Sequence, residues 1–205
     1  RTLKYYLDAG GPLMWILFIM SIISLTIILE RIFFFFRRER VKNKNFNTEL
    51  IKAVASNDMC CALNLCDKER NSVGCTVKSF LCRCDRDGDF HHFDQLVKEI
   101  SIDEIGCLEK RLHLLGIIGY IAPMIGLLGT VTGMIEAFRN LATFGAGDPT
   151  LVAAGISKAL ITTAGGLSIA IPTIIAYNLF NKKIEEIEVD IDKITTNLIN
   201  ILRKK

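Results

Sequence analysis

Two apolar segments in the C-terminal half of the chain carry small and hydroxyl side chains at helical spacing. The stripe in the segment from Leu112 to Phe138 contains Gly119, Pro123, Gly126, Thr130, Gly133 and Ala137. The stripe in the segment from Leu151 to Phe180 contains Ala159, Thr163, Gly166, Ala170, Thr173 and Tyr177. Steps of four and three residues place each stripe on one face of a helix. Small residues let helix backbones approach and hydroxyls supply polarity, so the stripes predict close helix contact or a lined pore.

The composition is that of a membrane protein with several spans. Of the 205 residues, 50% are hydrophobic, and the net charge of +3 gives no general attraction to nucleic acid. Three apolar segments, residues 12–36, 112–138 and 151–181, are long enough to cross a bilayer, which takes roughly 20 residues. The first is too long for a cleavable signal peptide and no small-residue cleavage site follows it. We therefore expect an all-α membrane protein with three transmembrane helices and long cytoplasmic helical extensions.

Basic residues set the expected orientation of these spans. Basic residues crowd the C-terminal end of the first span, namely Arg31, Arg37, Arg38, Arg40, Lys42 and Lys44. The second span follows Lys110 and Arg111, and the third is followed by Lys182 and Lys183. By the positive-inside rule, the N-terminus is expected outside and the C-terminus in the cytoplasm.

The segments between the spans are assigned from this orientation. Residues 1–11 are expected to form an external interfacial helix. Residues 37–111 form a cytoplasmic helical insert. Residues 139–150 are expected to form an external linker, in which Asp148 is a suitable N-cap and Pro149 a suitable first helical residue.

The tail, residues 182–205, is expected to be a cytoplasmic amphipathic helix. Its apolar residues follow steps of three and four, at Ile184, Ile187, Ile191, Ile194, Leu198 and Ile201. Such a seam is typical of a coiled coil and favours self-association or docking on the cytoplasmic helices. The alternative is a single amphipathic helix that lies against its own subunit.

The charged side chains within the spans include Lys158, Glu136 and Glu30. Lys158 can snorkel to the outer interface, or it can pair with Glu136 or with a partner protein. Glu30 lies at the inner edge of the first span. A carboxylate there is functional by default, although pairing with a neighbouring basic group would give it a structural role.

The insert contains all seven cysteines, which a reducing compartment keeps as thiols. Cys82, Cys84, His91 and His92 fit no common zinc spacing, so we expect no metal site. The sequence contains no nucleophile–base pair, phosphate loop or metalloprotease motif. We therefore expect neither enzyme activity nor a cofactor.

The three spans resemble those of the MotA/TolQ/ExbB proton-channel family. The matching runs are GGPLMW (10–15) with LER (29–31), AP (122–123) with GLLGTVTGM (126–134), and GISKALITTAGGL (155–167) with AIP (170–172) and AYN (176–178). The insert and the tail match only in position. The details are closer to ExbB and TolQ than to MotA, which usually has a fourth span.

The resemblance implies a homopentameric ring in the bacterial inner membrane. Such a ring surrounds transmembrane helices of a smaller ExbD- or TolR-like protein, each with a membrane-buried aspartate through which protons cross. The work reaches the outer membrane through a TonB- or TolA-like protein. The resemblance also implies that Thr130 and Thr163 face the inside of the ring and bind that aspartate or nearby waters, with Thr162 as a weaker neighbour. The alternative is that these hydroxyls bond to carbonyls of their own helix.

Lys158 departs from this resemblance, because ExbB-type proteins often carry a glutamate at that position. The function expected first is an ExbB-like motor subunit that energises outer-membrane transport. A TolQ-like motor for envelope constriction and another kind of stator follow. A non-conducting scaffold, in which the stripes only pack helices together, is the alternative from another class.

Overall fold

The computed structural model describes residues 11–39, 45–56, 58–69, 71–84, 90–144 and 149–203, and in these residues every regular element is an α-helix. The helices are α1 (Pro12–Arg38), α2 (Phe46–Ala55), α3 (Met59–Lys68), α4 (Ser72–Arg83), α5 (Phe90–Glu109), α6 (Leu112–Phe144) and α7 (Pro149–Arg203). Three of them, α1, α6 and α7, are long and apolar enough to cross a membrane. The expectation of an all-α membrane protein with three spans is confirmed.

The helices around the second and third spans are longer than the apolar runs. Helix α6 continues to Phe144, so residues 139–144 are helical although the sequence assigned them to the linker. The reason is that no glycine or proline interrupts the chain between Phe138 and Gly145. Helix α7 begins at Pro149, the residue expected to open it. The rest of the linker, including Asp148, lies outside the described residues, as does nearly all of the interfacial segment 1–11.

The chain forms two compact units. Unit 1 contains Arg1–Leu29 and Arg111–Leu179. Its helices are most of α1, all of α6 and the part of α7 that ends at Leu179. Leu17, Ala122 and Ala170, one from each helix, are buried together at its centre. A core made of small residues on α6 and α7 allows α1 to pack closely against both.

Unit 2 contains Glu30–Lys110 and Phe180–Lys205. Its core includes buried residues of the insert, namely Leu50, Val54, Val77, Phe80, Phe93 and Leu108. The tail residues Ile184, Ile187, Ile191, Ile194 and Leu198 are also buried. The tail and the insert therefore lie in one compact unit, which agrees with the alternative of an amphipathic helix that lies against its own subunit. Self-association of the tail stays a prediction.

The C-terminal end of α1 makes polar contacts with the insert. Arg31 is buried, and its guanidinium donates hydrogen bonds to the carbonyls of Leu108, at 2.9 Å, and Lys110. These carbonyls lie at the C-terminal end of α5, where a helix has unsatisfied acceptors and favours a cation. Farther along α1, Arg38 forms a 2.8 Å ion pair with Glu104. Glu30, beside Arg31 in sequence, is half-buried, and its expected role stays a prediction.

Candidate functional site

The two stripes of small residues face each other between α6 and α7. A Cβ atom built on Gly166 would lie 2.6 Å from the carbonyl oxygen of Ala122 and 3.1 Å from the Cα of Gly126. A Cβ on Gly133 would lie 2.9 Å from the Cβ of Ala159. Backbones this close require glycine, because any side chain would occupy space already filled by the neighbouring helix.

Most members of the stripes are buried in this contact. The buried members are Gly119, Gly126, Gly133 and Ala137 on α6 and Ala159, Gly166, Ala170 and Thr173 on α7. The half-buried members are Pro123, Thr130, Thr163 and Tyr177. Helix contact within one chain therefore accounts for the small residues. A role for the stripes as the inner face of a ring stays a prediction.

Two glycines outside the predicted stripes share this contact. A Cβ on Gly129 would lie 2.3 Å from the Oγ1 of Thr162, and a Cβ on Gly155 would lie 2.6 Å from the Cβ of Ala137. Gly129 follows Gly126 by three residues, which is helical spacing, and that signal is available in the sequence. The sequence analysis missed these two glycines because it followed a single seven-residue repeat along each helix. The contact is wider than that repeat and includes residues on both sides of it.

The three threonines of the predicted site make three different hydrogen bonds. Thr163 donates from Oγ1 to the carbonyl of Gly126 on the other helix, at 3.0 Å. Thr130 donates to the carbonyl of Leu127 in its own helix, at 2.6 Å. Thr162 is fully buried and donates to the carbonyl of Ala159 at 2.8 Å. Thr162 is thus enclosed between the helices, whereas Thr130 and Thr163 are half-buried at the edge of the contact.

Helix α1 covers the side of the α6–α7 pair that is opposite these two threonines. On α7, Gly165 packs against Met14 of α1, and Thr163 lies about 160° around the helix from Gly165. On α6, Ile125 packs against the core formed with Leu17, and Thr130 lies about 140° around from Ile125. The structure therefore brings Thr130 and Thr163 to one side of the pair, away from α1.

Lys158 and Glu136 form an ion pair between α7 and α6. Nζ of Lys158 is 2.7 Å from Oε2 of Glu136, and the two side chains are 34% and 55% exposed. Of the alternatives for Lys158, pairing with Glu136 is the one that the structure contains. Gly11 lies beside this pair, because a Cβ built on it would be 3.2 Å from Cε of Lys158.

The cysteines of the insert are all free thiols. Burial raises the pKa of the Cys66 thiol on α3 to about 12, and the nearby carboxylate of Asp67 adds to the effect. Within the described residues, no group of three histidine, cysteine or acidic side chains is arranged to hold a metal ion. The side chains of His91 and His92 lie outside that description. A buried thiol with a raised pKa is a poor nucleophile, so Cys66 has the character of a core residue.

Comparison with known proteins places most of the chain in one group. The model of the MotA/TolQ/ExbB proton channel family matches residues 76–193. The Tol-Pal system protein TolQ of Haemophilus influenzae is 46% identical over 101 residues, which are 46% of this chain and 43% of that protein. Biopolymer transport protein exbB1 of Vibrio cholerae is 41% identical over 98 residues, 44% of this chain and 42% of that protein.

A third relative matches over a longer region. The putative biopolymer transport protein ExbB-like 1 of a Synechocystis species is 32% identical over 184 residues, 87% of this chain and 70% of that protein. The chain spans less than half the length of the TolQ and exbB1 proteins. The similarity to the first two is therefore regional, whereas the third extends through nearly all of this chain.

Proposed function

Because the chain belongs to the MotA/TolQ/ExbB proton channel family, we propose that it is an ExbB-like subunit of an inner-membrane motor. The proton-motive force drives this motor, which energises outer-membrane transport together with an ExbD-like partner and a TonB-like protein. The subunits form a ring, a homopentamer, around a single-span partner. The N-terminus is periplasmic and the C-terminus cytoplasmic, because basic residues follow the first and third spans.

The observation that carries this proposal is the placement of Thr130 and Thr163 on the side of the α6–α7 pair that α1 leaves uncovered. A proton that crosses a potential of 100 mV releases roughly 2.3 kcal/mol. To use that energy, its path needs polar groups that hydrogen-bond a carrier carboxylic acid without binding it permanently. Thr130 already bonds within its own helix and keeps its oxygen as an acceptor. A ring of such hydroxyls around a partner aspartate suits this task.

Two observations favour other functions. The TolQ of Haemophilus influenzae is as similar to this chain as the ExbB-named relatives are, which supports a TolQ-like motor for envelope constriction. The close contact of the two stripes supports a non-conducting scaffold, because the small residues already serve helix packing. The motor differs from the scaffold in needing the threonine hydroxyls in addition to the glycines.

The first test is native mass spectrometry of the complex extracted from its own membranes in lipid nanodiscs. The motor predicts a ring of this chain that retains a small single-span protein with an aspartate in its span. The sequence of that partner would then distinguish transport from constriction. A monomer or dimer without such a partner would contradict the motor and leave the scaffold.

The second test compares two identical substitutions. Thr163→Val removes the hydroxyl on the uncovered side, whereas Thr132→Val removes one that bonds to the carbonyl of Leu128 in its own helix and faces the α1 side. The motor predicts that Thr163→Val abolishes proton-dependent work in a strain that lacks its own subunit. Thr132→Val should retain that work, and both variants should assemble, because one hydrogen bond contributes only about 1 kcal/mol. Full activity of Thr163→Val would refute the role of this threonine.

A further inference from the structure

We propose that Lys158 is a positioning residue, whose ion pair with Glu136 seats the start of α1 on the α6–α7 pair. In this role Lys158 lies on the side of the α6–α7 pair that α1 covers. It does not lie on the threonine side, which is the opposite side that carries Thr130 and Thr163. The inference goes beyond the proposed function and does not depend on it, because it concerns how three helices of one chain are held together.

The second and third spans contain one acidic residue that can pair with Lys158. Between residues 112 and 179 the sequence contains two acidic residues, Glu136 and Asp148. Glu136 is 2.7 Å from the ammonium group of Lys158. A charge in a membrane segment is costly unless it is paired, so the two side chains favour each other as partners. The pair therefore constrains where α6 and α7 lie relative to each other at this level.

The start of α1 follows the face of α7 that carries Lys158. Gly11 has φ of +70°, and a Cβ built on it would be 3.2 Å from Cε and 3.6 Å from Nζ of Lys158. Met14, three residues later, packs against Gly165. Gly165 lies two turns along α7 from Lys158, within about 20° of the same face. The start of α1 thus lies along one face of α7, where Gly11 is beside the stem of Lys158 and Met14 is beside Gly165.

The same geometry separates Lys158 from the threonine side. Thr163 follows Lys158 by five residues and lies about 140° around α7 from it. Glu136 lies within about 20° of Ile125 around α6, and Ile125 packs against the core that contains Leu17 of α1. Both members of the ion pair therefore face the side that α1 covers.

The experiment measures the seating of α1 directly. Cysteines introduced together as Met14→Cys and Gly165→Cys are joined in native membranes by a short thiol cross-linker, and the joined peptide is quantified by mass spectrometry. The seven native cysteines all lie between residues 60 and 107, so they yield different peptides. Lys158→Gln and Glu136→Gln should each lower the cross-link yield several-fold. The exchange Glu136→Lys with Lys158→Glu should restore most of it, because the pair is rebuilt with reversed charges although the lysine stem beside Gly11 is lost.

Arg139→Gln is the matched control, since it removes an exposed charge from α6 three residues beyond Glu136. It should leave the yield unchanged, and the amount of each variant in the membrane is measured alongside. An unchanged yield in both glutamine variants would overturn the proposal, as would failure of the exchanged pair to restore the yield.

A second readout tests the separation of Lys158 from the threonine side. Where the unmodified protein supports proton-dependent work, the exchanged pair should also support it. If the exchanged pair restored the cross-link but abolished the work, Lys158 would act on the proton path and the proposal would be wrong. The cross-link needs no motor activity, so failure of the proposed function would leave the first readout intact.

Discussion

The two adjacent glycines of α7, Gly165 and Gly166, provide a sharp test of how closely α6 and α7 pack. A Cβ on Gly166 would lie 2.6 Å from the carbonyl oxygen of Ala122, a backbone atom of α6 that cannot rotate away. A Cβ on Gly165 would lie 3.1 Å and 3.2 Å from the terminal atoms of Met14, a flexible side chain. We therefore predict that Gly166→Ala destabilises the protein and that Gly165→Ala is tolerated.

The magnitude follows from the distances. The Cβ of alanine at position 166 would be about 0.8 Å short of the 3.4 Å at which ordinary contact begins. If the helices separated by that amount, the 3.0 Å hydrogen bond from Thr163 to Gly126 would lengthen to about 3.8 Å, which breaks it. Overpacking costs about 1–3 kcal/mol and the lost hydrogen bond about 1 kcal/mol. The gain in helix propensity is the same in both variants and cancels in the comparison.

The expected result is that Gly166→Ala is less stable than Gly165→Ala by about 2 kcal/mol. The measurement is the free energy of unfolding of each purified variant in mixed micelles titrated with denaturing detergent, followed by circular dichroism. The reasoning would be refuted if the two variants differed by less than about 0.5 kcal/mol, which is the usual error of such comparisons. That outcome would mean that α6 and α7 are not in backbone contact at Gly166.

Three further predictions concern unit 2. A Cβ on Gly106 in α5 would meet nothing within 4 Å, so Gly106→Ala should raise the free energy of unfolding by about 0.5–1 kcal/mol in the same detergent titration. Burial raises the pKa of Cys66 to about 12, so its thiol should resist maleimide at pH 8 until the protein unfolds. Mass spectrometry should find the exposed Cys60 labelled first. Equal labelling of the two cysteines would contradict the burial of Cys66. Arg31→Lys should cost about 1.5–3 kcal/mol, since one ammonium cannot replace a guanidinium that binds two carbonyls, whereas the exposed Arg37→Lys should change stability little.

The spans and the docked tail were predictable because their signals are local. A run of apolar residues reports a membrane segment by its length alone, and this depends on no other part of the chain. The three–four spacing from Ile184 to Leu198 likewise fixes one apolar face of a helix. What buries that face is a property of the insert, which lies about a hundred residues earlier, so periodicity alone left self-association open.

The contacts of the stripes and of the charged residues could not be predicted from the sequence, because they join distant parts of the chain. Gly126 and Gly166 have the spacing of a packed face, but the same spacing serves a neighbouring helix or a pore, and the sequence does not separate the two. The 2.7 Å pair of Lys158 with Glu136 joins residues that are 22 positions apart on different helices. The carbonyl contacts of Arg31 were missed altogether. They join residues 77 or more positions apart, and backbone acceptors leave no mark in a sequence.

The discontinuous make-up of unit 2 sets the order in which the chain can finish folding. Its core combines Leu50 and Phe80 from the insert with Ile191 and Leu198 from the tail, and two spans lie between them in the sequence. A ribosome therefore delivers the insert long before the residues that complete its core. Until α6 and the span of α7 have been synthesised, the apolar face of the insert has no tail to cover it. Closure of the core of unit 2 thus waits for both membrane segments, and a chain that stops before the tail is left with exposed apolar surface.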